Sequence, residues 1–281
     1  MTTTDNIFHR ANKKPILWDA FFQNDGNKKP LVIFCHGYKG FKDWGAWNVM
    51  AEKFAKQGSF FVKFNFSHNG GTMEDPIDFP DLEAFAENNY TKELGDLKDM
   101  LDFFLTDSNQ YEQEIDQGNV TLIGHSRGGG IAILKASEDT RITKLITWAA
   151  VSDFGKRSST SGNLEQWQRD GVKYVLNGRT KQRMPHNIQF YKDFKRNEDR
   201  LHIESAEKRL TVPHLIVHGK EDDAVSFKEA ESLHRWNRNS QLLGIEEADH
   251  VFNTKHPWGH EELSEALQIV VEKSLAFLKF D

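Results

Sequence analysis

The chain has 281 residues, of which 38% are hydrophobic and 28% are charged, and its formal net charge at neutral pH is −6. This length accommodates one large α/β domain with an insertion, or two small domains. The mild negative charge excludes the basic footprint that is typical of nucleic-acid-binding proteins, so we expect no nucleic-acid partner.

Cellular location is predicted from the cysteine content and the start of the chain. The single cysteine, Cys35, excludes an internal disulfide and lies in an apolar strand pattern, where a buried thiol is expected. The first residues lack the basic start and apolar stretch of a signal peptide. No apolar run approaches the ~18 residues that a membrane span needs. We therefore expect a soluble, cytoplasmic protein without a membrane partner, whereas the sequence does not indicate its oligomeric state.

The secondary-structure pattern alternates between strands and helices. Predicted strands lie at 6–9, 16–22, 31–35, 60–66, 120–123, 144–150, 214–218 and 241–246, and predicted helices at 43–57, 90–106, 129–136, 226–236 and 261–279. Continuous apolar runs indicate strands that are covered on both faces, and apolar residues at i, i+3, i+4 and i+7 indicate helices. The alternation predicts an α/β fold with a mainly parallel sheet and helices on both faces.

Two segments depart from this regular pattern. The turn signal at 24–27 indicates that the strand at 16–22 runs antiparallel to the next strand. The irregular segment at 67–90 contains glycines, prolines and many acidic residues. A loop of that length in a compact domain is usually functional or mobile.

Residues 152–210 interrupt the alternation. The segment shows no strand-like run, and Arg, Lys, Gln and Asn are frequent between scattered aromatic residues. We interpret it as a mostly helical cap, inserted over a core formed by residues 1–151 and 211–281. Lys and Arg outnumber Asp and Glu in the cap. A solvated helical face explains this excess better than a basic surface that attracts acidic substrates, although the second explanation stays open.

A serine motif follows the predicted strand at 120–123. Residues 124–128 read Gly-His-Ser-Arg-Gly, which is the pattern G-x-S-x-G, and a helical pattern follows. A serine at such a strand–turn–helix junction is held in a strained conformation that exposes its hydroxyl. Ser126 is therefore the candidate nucleophile, although the bare pattern also recurs in ordinary glycine-rich turns.

A serine nucleophile needs a base and an acid that orients the base, and in this kind of sheet they follow late strands in the order serine, acid, histidine. His250 follows the last predicted strand and is the candidate general base. Three acids follow the strand at 214–218. Asp222 is preferred because the turn H-G-x-x-D-x-x-V places it at the strand's carboxyl end, Asp223 is the second choice, and Glu221 is less favoured.

The developing oxyanion also needs hydrogen-bond donors. The backbone N–H groups of Arg127, just after the serine, and of Tyr38, in the His-Gly-Tyr loop after the strand at 31–35, are the candidates. His36 is expected to pack and hydrogen bond rather than act as a base. His256 and His260 lack the spacing of a zinc site, so no metal is predicted.

Together these motifs resemble the α/β-hydrolase superfamily over nearly the whole chain. The oxyanion loop, the segment at 67–90 and the cap are most similar to cinnamoyl/feruloyl-esterase-like and dienelactone-hydrolase-like members. Two departures concern the substrate: Arg127 stands where many members have a smaller or uncharged residue, and residues 65–70 replace an Asp and a Gly-His-Gly turn.

The resemblance implies a serine hydrolase that cleaves a small-molecule carboxylic ester through an acyl-enzyme, without a cofactor. Trp148, Trp167 and Tyr174 are candidates to line an acyl or aryl pocket, although each is also a plausible packing residue. The same site could serve a peptidase or a thioesterase. A binding protein on a hydrolase scaffold is the alternative from another functional class, because fold does not fix function.

Overall fold

The computed structural model describes residues 1–107, 109–159 and 163–279, so residues 160–162 of the predicted cap lie outside the described residues. Within the described part, eight strands form one sheet in the order β1-β2-β4-β3-β5-β6-β9-β10. Their bounds are β1 (Thr2–Arg10), β2 (Lys13–Phe21), β3 (Lys29–Cys35), β4 (Phe60–Phe64), β5 (Ile115–His125), β6 (Lys144–Trp148), β9 (His214–Gly219) and β10 (Gln241–Ile245). A separate hairpin consists of β7 (Val172–Leu176) and β8 (Arg183–Asn187).

The helices of the described residues are α1 (Trp47–Lys56), α2 (Leu82–Ala86), α3 (Tyr90–Phe104), α4 (Arg127–Glu138), α5 (Phe154–Ser159), α6 (Leu164–Asp170), α7 (Gln189–Arg196), α8 (Ile203–Arg209), α9 (Phe227–Trp236) and α10 (Glu265–Leu278). The predicted strands and helices are thus present with small shifts at their ends. The short helix α2 lies inside the segment that the sequence predicts to be irregular.

The sheet is parallel from β4 to β10 and antiparallel only at the edge formed by β1 and β2. The predicted mainly parallel sheet with helices on both faces is therefore confirmed. Strand β2 runs antiparallel to β3, as the turn at 24–27 indicates, but the two strands are not neighbours, because β4 lies between them. Strand β3 therefore enters the sheet one position further in, and β4 later fills the position between them.

The side chains of strand β3 show that the sheet is buried on both faces. Leu31, Ile33 and Cys35 contribute to one hydrophobic core, and Val32 and Phe34 contribute to the other. Helices α3 and α4 supply residues to the first core, whereas α1 and α10 supply residues to the second. A continuous apolar run is needed here because successive side chains of a strand point to opposite faces.

A buried ionic cluster anchors the loop that follows β3. Lys42 lies in this loop, and its ammonium group contacts Asp19 at 2.8 Å and Asp43 at 2.6 Å. Lys63 of strand β4 contacts the same two carboxylates. The Lys42 backbone N–H donates to the Asn65 side-chain oxygen at 2.6 Å. These contacts attach the loop to the ends of β2 and β4.

The inserted segment is not purely helical. Helices α5, α6, α7 and α8 lie within it, but the β7–β8 hairpin lies between α6 and α7. The expectation that this segment has no strand is therefore wrong. Strand β8 contains Arg183, Pro185 and His186 and has no apolar run, so its sequence carries no strand signal. The domain boundaries at 151/152 and 210/211 stay a prediction.

Candidate active site

Ser126 lies at the turn between β5 and α4, at the carboxyl edge of the sheet. Its backbone has φ 57° and ψ −119°, a strained conformation for a residue other than glycine. The Ser126 N–H donates to the Trp148 carbonyl at 2.9 Å, and the Ser126 carbonyl accepts from Gly129 at 3.0 Å and Val151 at 3.2 Å. Strand, sharp turn and helix thus follow one another as the motif predicts, and the turn is tied to the neighbouring strand β6.

The turn packs directly on the loop that follows β3. A Cβ atom added to Gly128 would lie 2.4 Å from the Cys35 carbonyl oxygen and 2.5 Å from that of His36. A Cβ atom added to Gly37 would lie 2.9 Å from the Ser126 Cβ. Only glycine permits this approach, so these two glycines bring the backbone of the β3 loop against the serine.

The side chains of Ser126, His250 and Asp222 form one hydrogen-bonded series. The Ser126 hydroxyl lies 3.0 Å from His250 Nε2, and His250 Nδ1–H donates to Asp222 Oδ2 at 2.7 Å. Because Asp222 accepts at Nδ1, the tautomer of His250 leaves Nε2 free to accept the serine proton. The competing acids Glu221 and Asp223 are exposed, so the structure brings the preferred acid to the histidine.

Asp222 is held as an anion by donors on both carboxylate oxygens. Oδ1 accepts from the backbone N–H groups of Ala224 and Val225, both at 2.8 Å. Oδ2 accepts from His250, and His218 Nε2 lies 3.2 Å from the same oxygen. Burial alone would raise the pKa of Asp222, but hydrogen bonds from His218, His250 and Val225 hold it well below its ordinary value.

Two further histidines support the site, and the sequence-based reasoning did not assign them a role. His125, the residue before the serine, donates from Nε2 to the His250 carbonyl at 2.9 Å. Burial and the neighbouring His250 lower the pKa of His125 to about 3, so it stays neutral. His218 donates from Nε2 to the Val225 carbonyl at 2.7 Å. Their positions, inside the serine motif and at the start of the H-G-x-x-D turn, are the only sequence signals for them.

The two predicted oxyanion donors lie near the serine. Tyr38 and Arg127 line the same cavity as Ser126. His36 fixes the loop of Tyr38: its Nδ1–H donates to the Gly37 carbonyl at 2.8 Å and its Nε2 accepts from the Phe66 N–H at 3.2 Å. His36 therefore hydrogen bonds as expected, and burial lowers its pKa to about 4. The donor role of Tyr38 and Arg127 stays a prediction.

Two cavities meet at the serine and the histidine. The larger, of about 390 Å³, is lined by Tyr38, Lys39, Tyr90, Ser126, Arg127, Val151, Phe154, Arg157, Lys173, Val175, His186, Phe190, Ala224, Val225 and His250. The smaller, of about 250 Å³, is lined by His36, Gly37, Tyr38, Lys39, Gly40, Trp44, Trp47, His125, Ser126, Asn177, Arg179, His250 and Val251. The inserted segment contributes residues to both cavities. A substrate that spans the serine therefore has space for a group on either side.

None of the three aromatic residues predicted to contact substrate lines either cavity. Trp148 is fully buried in the core below the sheet, and its Nε1–H donates to the Ser274 hydroxyl at 3.1 Å. Tyr174 is 51% exposed because it lies on the outer face of β7, whereas its neighbours Lys173 and Val175 face the larger cavity. The predictions for Trp148 and Tyr174 are therefore wrong.

Trp167 lies one layer behind the larger cavity. Its indole N–H donates to the His186 carbonyl at 2.8 Å, and the Lys173 ammonium lies 3.7 Å from its ring centroid. Both partners line the cavity, but Trp167 itself does not. The prediction that Trp167 contacts substrate directly is therefore wrong, and Trp167 instead supports two residues that line the cavity.

The side chain of Arg127 is buried beside the nucleophile. Its guanidinium carbon lies 4.3 Å from the ring centroid of Tyr38, 5.3 Å from that of Tyr90 and 5.5 Å from that of Phe190. One guanidinium nitrogen lies 3.4 Å from a carboxylate oxygen of Glu93. Burial disfavours the charge, but Glu93, Tyr90 and Tyr38 raise the pKa of Arg127, so it remains a cation.

Neither a metal-binding cluster nor a membrane-spanning helix is found among the described residues. No group of three or more His, Cys, Asp or Glu side chains there could hold a metal ion. His256, one of the histidines that the sequence places outside a zinc site, accepts the Gly45 N–H at 3.0 Å and stacks on Trp44. Over the same residues, no helix combines the length and apolarity that crossing a bilayer requires.

Comparisons with known proteins agree on one fold. A family model of the alpha/beta hydrolase fold matches residues 30–187. No curated protein matches the chain by sequence. Similar solved structures include ferulic-acid-bound Est1E from Butyrivibrio proteoclasticus, with 20% identity, a TM-score of 0.71, and coverage of 94% of this chain and 94% of that chain.

Two other similar structures cover nearly the whole chain. An esterase domain from a Rhodothermus marinus protein is 18% identical, with a TM-score of 0.62, and the alignment covers 99% of this chain and 96% of that chain. A candidate dienelactone hydrolase from Klebsiella pneumoniae subsp. pneumoniae is 15% identical, with a TM-score of 0.59 and coverage of 95% and 93%. At these identities the likeness establishes the fold and leaves the substrate open.

Proposed function

The chain belongs to the α/β-hydrolase-fold family, and on that premise we propose that it is a serine hydrolase that cleaves carboxylic esters through an acyl-enzyme. The observation that carries the proposal is the unbroken hydrogen-bonded series from the Ser126 hydroxyl through His250 to Asp222. A serine hydroxyl is a weak nucleophile unless such a base accepts its proton. The likeness of the fold to an esterase domain supports an ester over an amide.

Acylation begins when Ser126 Oγ attacks the ester carbonyl and His250 Nε2 takes the hydroxyl proton. The resulting imidazolium is stabilised by the Asp222 carboxylate, which accepts its other N–H at 2.7 Å. The tetrahedral oxyanion accepts hydrogen bonds from the backbone N–H groups of Tyr38 and Arg127. Loss of one such donor typically costs ~3 kcal/mol of transition-state stabilisation. Collapse breaks the bond to the alcohol oxygen, which takes the proton from His250.

Deacylation repeats these steps with water. His250 removes a proton from the water molecule, and the hydroxide oxygen attacks the acyl carbon. Collapse of the second tetrahedral intermediate breaks the bond to Ser126 Oγ, which regains its proton from His250. The acid product then leaves. In this scheme the two cavities at the serine receive the acyl and alcohol halves of the substrate, and the inserted segment acts as a cap over them.

Replacement of Ser126 with alanine tests the proposal. We expect the variant to lose hydrolysis of 4-nitrophenyl butyrate by about 10⁶-fold, to the background rate of the assay, because no other group in the series can form the acyl-enzyme. Ser137→Ala is the matched control, since Ser137 lies near the far end of helix α4 and its hydroxyl donates to the Leu134 carbonyl at 2.9 Å. Full turnover by Ser126→Ala would refute the assignment of the nucleophile.

A fluorophosphonate probe separates an enzyme from a binding protein on the same scaffold. An activated serine reacts with the probe, whereas a protein that only binds a ligand does not need one. We expect stoichiometric labelling of the wild-type chain at Ser126, located by peptide mass spectrometry, and no labelling of Ser126→Ala. An unlabelled wild-type protein would favour the binding protein.

A further inference from the structure

The larger cavity beside Ser126 carries an excess of positive charge. Lys39, Arg127, Arg157 and Lys173 line it, and no Asp or Glu is found among the described residues that line it. Arg157 is neutralised by Glu229, whose carboxylate lies at 2.6 Å. Arg127 has the buried Glu93 carboxylate at 3.4 Å, so the two lysines are the lining cations without a carboxylate partner among the described residues. Charges removed from water need partners.

Arg127 has the geometry of an unused recognition group. A guanidinium has five N–H donors in a rigid fork. Within the described residues, its one acceptor is Glu93, and that contact is long, at 3.4 Å. Glu93 in turn accepts a shorter hydrogen bond, of 2.7 Å, from Asn88. The Arg127 side chain is only 14% exposed, so its remaining donors face the cavity and the surrounding aromatic rings rather than bulk water.

The two lysines lack counter-ions. In the part of the chain that the structure describes, neither ammonium group contacts a carboxylate. Lys39 lies 5.1 Å from the Tyr38 ring centroid, and Lys173 lies 3.7 Å from that of Trp167. Burial lowers the pKa of Lys173 to about 8, and burial together with Arg127 lowers that of Lys39. A negative charge in the cavity would oppose both shifts, because it favours the protonated form of a nearby lysine.

Tyr38 and His186, two further polar side chains of the cavity, already have hydrogen-bond partners in the protein. The Tyr38 hydroxyl donates to His186 Nε2 at 2.9 Å, and His186 Nδ1–H donates to the Met184 carbonyl at 3.2 Å. These two side chains therefore satisfy each other. The aromatic rings of Tyr90, Phe154 and Phe190 complete an apolar wall. Among the charged side chains that line the cavity in the described part of the chain, Arg127 and the two lysines therefore keep N–H donors for a ligand.

We propose that the preferred substrates are esters that carry a second, ionised carboxylate, and that this carboxylate binds the Arg127 guanidinium in the larger cavity. The inference rests on the proposed function, because it names the substrate class of the same site. A planar carboxylate matches the guanidinium fork, and such charge-assisted pairs are stronger than neutral hydrogen bonds. Arg127 then determines specificity with its side chain.

The kinetic test compares esters that differ in one carboxylate. Monoethyl glutarate and ethyl pentanoate share a five-carbon acyl chain, and 4-acetoxybutanoate and butyl acetate share a four-carbon alcohol. Hydrolysis is followed by pH-stat titration. We expect kcat/KM of the wild-type protein to be at least 10-fold higher for the anionic member of one pair. The pair that shows the preference identifies the half of the substrate that lies in the larger cavity.

Variants assign the preference to Arg127. The double variant Arg127→Gln, Glu93→Gln removes the cation without leaving its buried carboxylate unpaired. We expect the ratio of kcat/KM for the anionic and neutral esters to fall at least 10-fold, and Arg127→Lys to retain part of it. Arg183→Gln is the control for loss of a nearby arginine, because Arg183 lies in the β7–β8 hairpin and stacks outside the cavity on Tyr174 at 4.6 Å. This control should keep the wild-type ratio.

A binding measurement separates failure of this inference from failure of the proposed function. Calorimetry with Ser126→Ala compares glutarate with its uncharged diamide, and needs no turnover. We expect glutarate to bind at least 10-fold more tightly, and the added Arg127 and Glu93 substitutions to remove the difference. Equal binding of both ligands, or equal kcat/KM within both ester pairs, would overturn the inference even if Ser126 proves to be the nucleophile. A chain that hydrolyses no ester but binds glutarate selectively would refute only the esterase.

Discussion

At the scale of single residues, the candidate site depends on how Asp222 is surrounded. Its carboxylate accepts two backbone N–H groups on one oxygen and the His250 N–H on the other, which His218 Nε2 also approaches to 3.2 Å. The backbone donors orient the carboxylate, and His250 is in turn held by the hydrogen bond from His125 to its carbonyl. The acid therefore fixes both the position and the tautomer of the proposed base.

Replacement of Asp222 with asparagine should lower kcat for ester hydrolysis by about 10⁴-fold, because an amide cannot hold the His250 tautomer that leaves Nε2 free. The measurement is steady-state hydrolysis of 4-nitrophenyl butyrate. Asp223→Asn is the control, since Asp223 is the neighbouring acid and is exposed. A large loss of activity in the Asp223 variant alone would contradict the assignment.

The candidate triad could be predicted from the sequence, whereas the pocket residues could not. Ser126, Asp222 and His250 each follow a strand, so their relation to the sheet is contained in the local pattern. Whether the side chain of Trp148 or Tyr174 reaches a cavity depends on whether its face of the strand packs on the core, on the cavity or on solvent. That is decided by contacts distant in the chain, such as the packing of Trp148 on Ser274.

At the scale of elements, the junction of β5 and α4 is crowded by backbone. The carbonyl oxygens of the β3 loop occupy the space that a side chain at position 128 would need. The same loop carries Tyr38 and is anchored by the ionic cluster around Lys42. The elbow and the predicted oxyanion loop are therefore one packed unit, and a change in either should disturb both.

Gly128→Ala should lower the free energy of unfolding by about 1–3 kcal/mol and also reduce kcat, because its Cβ would lie 2.4 Å from a backbone oxygen that cannot move alone. Gly95→Ala, in helix α3, is the matched variant, since its Cβ would meet nothing within 4 Å. It should stabilise the protein by about 0.5–1 kcal/mol. Urea denaturation and esterase assays on both variants test this contrast. Equal stability of the two variants would contradict it.

Elements with strong local signals were predictable, and elements made by pairing were not. Strand β3 and helix α3 follow from apolar runs and periodicity. Strand β8 forms because its backbone pairs with β7, and its sequence, Arg-Met-Pro-His-Asn, has no pattern that predicts a strand. The same holds for the neighbour of β2, which is chosen by long-range pairing rather than by the turn at 24–27.

At the scale of the whole molecule, the site requires several histidines to be buried without charge. Burial lowers the pKa of His36 to about 4, and of His125 and His186 to about 3. All three lie within the site or contact its cavities. In the unfolded chain a histidine titrates near pH 6.5. Between these pKa values and pH 6.5, the three histidines are therefore protonated in the unfolded state and neutral in the native state.

Stability should consequently fall as the pH falls from about 6.5 towards 4. In this window the unfolded chain is protonated at histidines that remain neutral in the fold. Their contribution to the free energy of unfolding is therefore fully present above pH 6.5 and is lost on acidification. Each such histidine contributes up to ~1.4 kcal/mol per pH unit once the pH is well below its unfolded pKa. Glu93 and Asp96 oppose this trend, because burial raises the pKa of both carboxyls.

Comparison with His36→Gln isolates the histidine contribution, because the carboxyls are common to both proteins. His36 is 4% exposed, so its proton uptake is coupled to unfolding rather than to local solvent access. The free energy of unfolding, from urea denaturation at pH 7.0, 5.5 and 4.5, should decline less steeply in the variant, by up to ~1.4 kcal/mol per pH unit. Parallel declines would mean that His36 is protonated equally in the folded and unfolded states. The hydrogen bond that His36 accepts from Phe66 at 3.2 Å would then be lost below about pH 6.5, since a protonated Nε2 cannot accept it.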